Sequence, residues 1–264
     1  MKPAVGVAAA QRLRTRSVVA IWWRHMLALG RVWQVAITWF LVEPVIVLMA
    51  VGLGIGRLVG DVGGHGSYAA FVAPGIVIGT AMFHAIFECS WSVYQRIQQD
   101  LYETLLTAPV NVAEIVLAEL AFAVTRALLS TLGVGAVAAL FGWIPWLALP
   151  ALLAVSVAVG TVFGGIGLLF AALSPSLHTL SLVFTLVATP LYFFSGAFFP
   201  VDVLPDWLEP VAWVTPLTPL VHFGRGVCVG ALDATHLASA VYVVALSVAL
   251  FPLATVLLRR RLLV

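Results

Sequence analysis

Apolar residues run almost unbroken over six stretches of the chain, at about Val32 to Ile55, Phe71 to Trp91, Ile115 to Phe141, Leu147 to Leu173, Leu177 to Phe199 and Leu237 to Leu258. Crossing the hydrocarbon core of a bilayer as a helix takes about 20 residues, so each stretch is long enough to span. The pattern predicts an all-α integral membrane protein with six transmembrane helices and both termini on one side. It divides the chain into an N-terminal part (residues 1–31), a six-span transmembrane domain (32–258) and a short C-terminal tail (259–264).

Two segments outside the spans have patterns of their own. Ahead of the first span, Val18, Trp22, Met26 and Leu29 fall on one helical face and Ser17, Arg24 and Arg31 on the other. This predicts an N-terminal interfacial amphipathic helix lying in the headgroup plane, the alternative being a cytoplasmic extension of the first span. Between spans five and six, residues 200–236 are too apolar for a solvated loop, yet Pro200, Pro205, Pro210, Pro216 and Pro219 forbid one continuous helix. Re-entrant half-helices dipping in from the outer side are predicted there, because irregular backbone at membrane depth must be covered by protein or water. A structured cap resting on the surface is the alternative.

Composition strengthens the membrane assignment: 62% of the residues are hydrophobic and 9% are charged, where a soluble domain carries about 25% charged. A formal charge of +2 gives no reason to expect a nucleic-acid partner. Basic residues set the orientation, since short basic flanks resist translocation. Lys2, Arg12, Arg14, Arg16, Arg24 and Arg31 precede the first span, Arg96 lies in the second loop, and Arg259, Arg260 and Arg261 close the chain, against Arg57 and Arg225 on the other side. Both termini and the loop around residues 98–111 are therefore expected in the cytoplasm. The stretch "QRLRTRSVVAIWWRHMLALGR" is too often broken by charge for a signal peptide, and the N-terminus reads as retained.

Much chemistry is excluded by missing residues. Lys2 is the sole lysine, so no P-loop ATPase is encoded. Cys89 and Cys228 fall toward opposite membrane faces, the six histidines are scattered, and no metal site is expected. Within the spans, His84 and Glu88 are one turn apart and read as a hydrogen-bonded polar pair, while Glu119 and Arg126 share a helical face two turns apart. Glu88 is the expected interhelical partner of Arg126. With Glu43, which precedes Pro44 in the first span, these residues form a candidate intramembrane charge network, either a structural salt bridge or a gating switch. Small-residue pairs such as Gly75 with Gly79 and Gly160 with Gly164 read as intramolecular packing. Tyr192, Phe193, Phe194, Phe198 and Phe199 crowd the outer half of span five, as an interfacial belt or as a path for an amphiphile's sugar rings and acyl chains.

The segments "FLVEP" at Phe40 to Pro44, "YETLLTAPV" at Tyr102 to Val110 with "EIVLAEL" following at Glu114, and "FFSGAFFPVDVLPDWLEPVAWVTPLTPL" at Phe193 to Leu220 occur in order on the six-span pattern. In these the chain resembles the permease subunits of ABC-2 type exporters, and among them the nodulation-protein-J-like lipooligosaccharide export permeases, over nearly its whole length. The resemblance implies a homodimer docked on two copies of a separate ABC ATPase, which carries the ATP and Mg; this chain itself holds no cofactor and is not an enzyme. It implies an amphiphilic, lipid-like cargo leaving the inner leaflet of the bacterial cytoplasmic membrane. It also makes the loop at about residues 98–111 the holder of a coupling helix that sits in a groove of the ATPase, with Gln98, Tyr102, Glu103, Leu105 and Leu106 as contacts. Where relatives carry Pro-Leu-Thr-His, this chain has Pro219, with His222 a little later. Drug-exporting permeases share much of the outer motif and offer an alternative cargo. The other classes are a gradient-driven transporter using Glu43, Glu88 and Glu119, and a membrane enzyme using Asp202 or Asp206.

Overall fold

A computed structural model describes residues 13–59, 67–231 and 233–263. Lys2 and Arg12, counted above for orientation, lie outside the described residues. The chain is helical: α1 Thr15–Arg31, α2 Trp33–Val59 and α3 Tyr68–Gln98, the short α4 Leu101–Leu106, α5 Val112–Leu140, α6 Trp146–Leu173 and α7 Leu177–Phe193. Two short outer helices follow, α8 Glu209–Val214 and α9 Leu217–Val229, and then α10 Ala234–Leu263. Among the described residues four helices, α2, α3, α6 and α10, are long and apolar enough to cross a membrane. With 29 residues at 1.5 Å each, α5 reaches roughly 43 Å, and its charged residues gather in its first half.

Helix ends follow local chemistry more than apolar runs do. Capped by Asn111, α5 starts at Val112, three residues before the expected Ile115: the Asn111 side chain accepts from the Glu114 N–H at 2.9 Å while the Glu114 carboxylate accepts from the Asn111 N–H at 3.2 Å. The span expected to reach Phe199 stops at Phe193. There the Ser195 hydroxyl donates to the Tyr192 carbonyl at 2.7 Å, and Gly196 turns the chain with φ +80°. Helix α3 instead runs past Trp91 to Gln98, so Arg96 belongs to a helix end and not to a loop.

Three helices widen locally into π-helical turns. Those at Thr38–Val42 in α2 and Phe184–Ala188 in α7 come just before Pro44 and Pro190, whose missing N–H frees a carbonyl one turn earlier. Two others, Ala50–Ile55 in α2 and Glu88–Ser92 in α3, lie next to no proline, and the latter carries Glu88.

At the centre of the fold α3 packs against α5, α6 and α9, and the side chains of Phe71, Ile76, Met82, Phe163 and Leu168 are fully buried there. Close approach requires glycine at several places, two of which belong to the small-residue pairs noted above. A Cβ on Gly160 of α6 would stand 2.6 Å from the Val124 Cα of α5, and one on Gly79 of α3 would stand 1.9 Å from the Tyr192 ring. The intramolecular reading of the small-residue pairs holds at both.

Candidate functional site

Two carboxylates and two guanidinium groups meet among α3, α5 and the short helix α4. Glu88 and Glu119 are buried to 2% and 0% exposure. Arg96, at the end of α3, bridges them: Nη2 donates to Glu88 Oε1 at 2.5 Å and Nη1 to Glu119 Oε2 at 2.6 Å. Arg126 of α5 donates to the second oxygen of Glu88, and its guanidinium stands 4.9 Å over the Phe40 ring of α2. The Ser92 hydroxyl donates to the same Glu88 oxygen at 3.3 Å. Two formal negative charges thus face two positive ones, the condition under which buried ions are tolerated.

Glu119 also gathers groups from outside the spans. The Tyr102 hydroxyl of α4 donates to Glu119 Oε1 at 2.7 Å, and His25 Nε2 of α1 lies 3.1 Å from that oxygen, which accepts from it as an N–H. A second bond ties α1 to α5, from Trp22 Nε1 to the Thr125 hydroxyl at 3.0 Å. One buried carboxylate therefore joins the N-terminal helix, the end of α3, α4 and α5.

The expected network is changed in three respects. Glu119 pairs with Arg96 and not with Arg126, which reaches Glu88 across the helix pair as expected. Glu43 takes no part: Phe40, Pro44 and Leu48 face inward one turn apart, and Glu43, about 100° away from Pro44, lies exposed beside Val42 and Ile46. His84 packs its ring 4.5 Å from Phe40, and the partners of Glu88 are Arg96, Arg126 and Ser92. Residues missed in the sequence are Arg96, read only as a loop cation, and His25. The spacing Glu88, Ser92, Arg96 carried a signal, with three polar side chains at successive four-residue steps.

The segment at 98–111 divides into two sides. Tyr102 is fully buried, so its side chain is turned inward and not available as a docking contact. Leu105 and Leu106 are half-buried against the core, whereas Gln98, Glu103 and Thr104 are exposed. Asp100 opens α4 with φ 53°, a left-handed turn between Gln98 and Leu101. At the far end of the fold, Tyr192 is buried against Gly79 and Phe83, and Phe198 bridges Tyr192 and Phe193 at ring distances of 5.0 and 5.1 Å. Phe193 and Phe194 are exposed, and Phe199 is half-buried. Of the five aromatics read as an interfacial belt or a substrate path, Tyr192 is thus an internal packing residue.

Residues 16–229 match the ABC-2 type transporter family. The chain is 38% identical over 250 residues to nodulation protein J of Rhizobium leguminosarum bv. trifolii, covering 93% of this chain and 94% of that one. It is 36% identical over 258 residues to nodulation protein J of Rhizobium meliloti (strain 1021), covering 92% and 93%. Similarity extends to the inner membrane transport permease YadH of Escherichia coli (strain K12), 27% identical over 211 residues, covering 76% and 78%.

Proposed function

The chain belongs to the ABC-2 type transporter family, and from that premise we propose that it is the membrane subunit of an ATP-driven exporter, moving an amphiphile such as a lipooligosaccharide or glycolipid out of the cytoplasmic leaflet. It works as a homodimer in the bacterial cytoplasmic membrane with two copies of an ABC ATPase, which bind and hydrolyse ATP with Mg. Helices α5 and α7 complete six spans with α2, α3, α6 and α10; α1 lies in the interface; α8 and α9 dip back from the outer side; both termini are cytoplasmic.

The observation that carries the coupling part of this reading is the hydrogen bond from Tyr102 to Glu119. A helix of six residues is not stable by itself, so the position of α4 is set by what holds it: Tyr102 in the charge cluster and Leu105 and Leu106 on the core. Its exposed side, with Glu103, is left for the ATPase groove together with Gln98 at the end of α3, where a charge orients the docked segment. Force applied there by ATP-driven closure passes to Glu119 and through Arg96 to Glu88 and Arg126.

Affinity purification of the tagged chain from its host in mild detergent, followed by mass spectrometry, tests the reading. A stoichiometric P-loop ATPase is expected, and Glu103→Arg is expected to weaken its recovery. An intact complex containing no ATPase would overturn the proposal. Glu88 and Glu119 are each held by an arginine, an arrangement that favours a structural, force-transmitting network over a gradient-driven transporter built on them.

A further inference from the structure

A cavity of about 430 Å³ opens between α8, α9 and the start of α10, against Phe71 at the start of α3. Phe71 and Arg96 are 25 residues apart on one helix, which puts the cavity on the order of 38 Å from the charge cluster, at the other end of α3. Its volume lies within the range of small-molecule sites. Its lining includes Asp202, Glu209, Trp213, His222, Arg225 and Asp233.

The polar groups of this wall are unevenly satisfied. Arg225 is engaged: Nε donates to the Phe71 carbonyl at 3.3 Å, Nη2 donates to the Gly196 carbonyl at 2.8 Å, and the guanidinium lies 3.8 Å over the Phe71 ring. Asp233 is engaged with Thr235 and His236. Glu209, half-buried, and Asp202, at the rim, have side chains with no hydrogen-bond or ion-pair partner among the described residues. His222 stacks on His236 at 4.2 Å and meets the edge of Trp213 at 5.4 Å, and its buried Nδ1 has no partner. Three carboxylates against one guanidinium leave a net formal charge of −2 with both imidazoles neutral. The unfilled positions are mainly acceptors and the field is negative, so a cationic hydrogen-bond donor is the complementary ligand. A metal ion fits poorly, since among the described residues no three His, Cys, Asp or Glu side chains gather around a common point.

We propose that this cavity binds the protonated primary amine of an amphiphile. The ammonium group donates to Glu209 and to His222 Nδ1, Asp202 attracts it at the rim, and the Trp213 ring lies against the adjoining carbon chain or the cation itself. Lipid headgroups, aminosugars and free alkylamines all supply this chemistry. Only the outward position of the cavity rests on the exporter reading; the binding does not.

The test uses the full chain in nanodiscs of phosphatidylcholine, whose headgroup carries no N–H donor. Octylammonium, the neutral N-octylacetamide and octyl glucoside are titrated separately, and the thermal unfolding midpoint is followed. Octylammonium is expected to raise the midpoint saturably and the two neutral probes are not. Glu209→Gln should weaken that effect about tenfold or more, as expected for loss of a charged hydrogen-bond partner, without changing the unliganded midpoint. Should Glu209→Gln lower the unliganded midpoint, Asp202→Asn on the exposed rim decides instead, with a smaller weakening expected. Equal shifts from the acetamide, a larger shift from the glucoside, or wild-type amine affinity in the deciding variant would each overturn the proposal. No ATP or ATPase enters the measurement, so its failure leaves the exporter reading standing, and the absence of an ATPase leaves the binding result standing.

Discussion

Arg96 is the residue on which the balance of the charge cluster turns, because its two terminal nitrogens reach two different buried carboxylates. Arg96→Met leaves Glu88 with Arg126 but leaves Glu119 with only Tyr102 and His25, a net uncompensated negative charge inside the fold. Removing one partner of a buried pair costs about 3–5 kcal/mol. The Arg96 side chain is 17% exposed, so water reaches the broken site and a loss near the lower figure is expected. Against a total stability of about 5–15 kcal/mol that is a large fraction. Glu119→Met breaks the same pair from the other side, freeing a positive charge and two further donors, and should cost at least as much.

The double variant Arg96→Met with Glu119→Met restores neutrality, with Glu88 and Arg126 still paired. Its cost is expected to fall short of the sum of the single costs by about 2 kcal/mol or more, since contacting charges couple by about 0.5–3 kcal/mol. Unfolding of the full chain in mixed micelles with increasing dodecyl sulfate, followed by tryptophan fluorescence, gives the four free energies. Additivity within about 0.5 kcal/mol would refute the reasoning, because it would mean that the two residues do not sense each other's charge.

Gly79→Ala should destabilise by about 1–3 kcal/mol, because the added methyl meets the Tyr192 ring at 1.9 Å; the same unfolding assay should show relief when Tyr192→Leu is added. Arg261 Nη1 donates to the carbonyls of Ala171, Ala172 and Ser174 at 2.6, 3.1 and 2.6 Å, closing the C-terminus of α6, so Arg261→Ala should cost about 1–2 kcal/mol and Arg261→Lys less. Asp233 caps the start of α10, and the Thr235 hydroxyl, then His236, hold its carboxyl below the usual carboxylate range. A folded-state value below the unfolded one gives stability that is present above about pH 4 and lost as pH falls further. Protection of the Thr235 and His236 amides, taken relative to their intrinsic exchange rates, should therefore hold down to about pH 4 and decline below it, whereas Asp233→Ala should lack it throughout.

The long helices were legible because the hydrocarbon core imposes a length that few other contexts demand. Their ends were less so. The early start of α5 was written in the sequence as Asn111 followed three residues later by Glu114, a capping pair that an apolar-run criterion passes over. The early end of α7 depends on Gly196 adopting positive φ, a conformation that composition does not reveal. Partner choice within the site was hidden for a different reason. Arg96 and Tyr102 sit where a span meets a connection, and polar residues there look solvated unless the fold turns them inward. Glu43 shows the reverse: its position in an apolar run suggested a buried charge, but only the packing of Phe40, Pro44 and Leu48 tells which side of α2 faces in.

The two sides of residues 98–111 answer why so apolar a chain carries a compact polar segment near its middle. A segment that only marked the aqueous side would need no anchor, and its polar groups would all face water. Here the exposed Glu103 rides on a helix whose Tyr102 is bound to a carboxylate deep in the fold, with the exposed Gln98 at the end of the preceding helix. Because Glu119 also holds Arg96 and His25, α4 cannot shift alone: moving Tyr102 disturbs the end of α3 and the seat of α1 together. An attachment of this kind suits a docking element that must both be recognised from outside and transmit displacement inward, and it places the cost of misalignment on a cluster whose charges balance only when every partner is present.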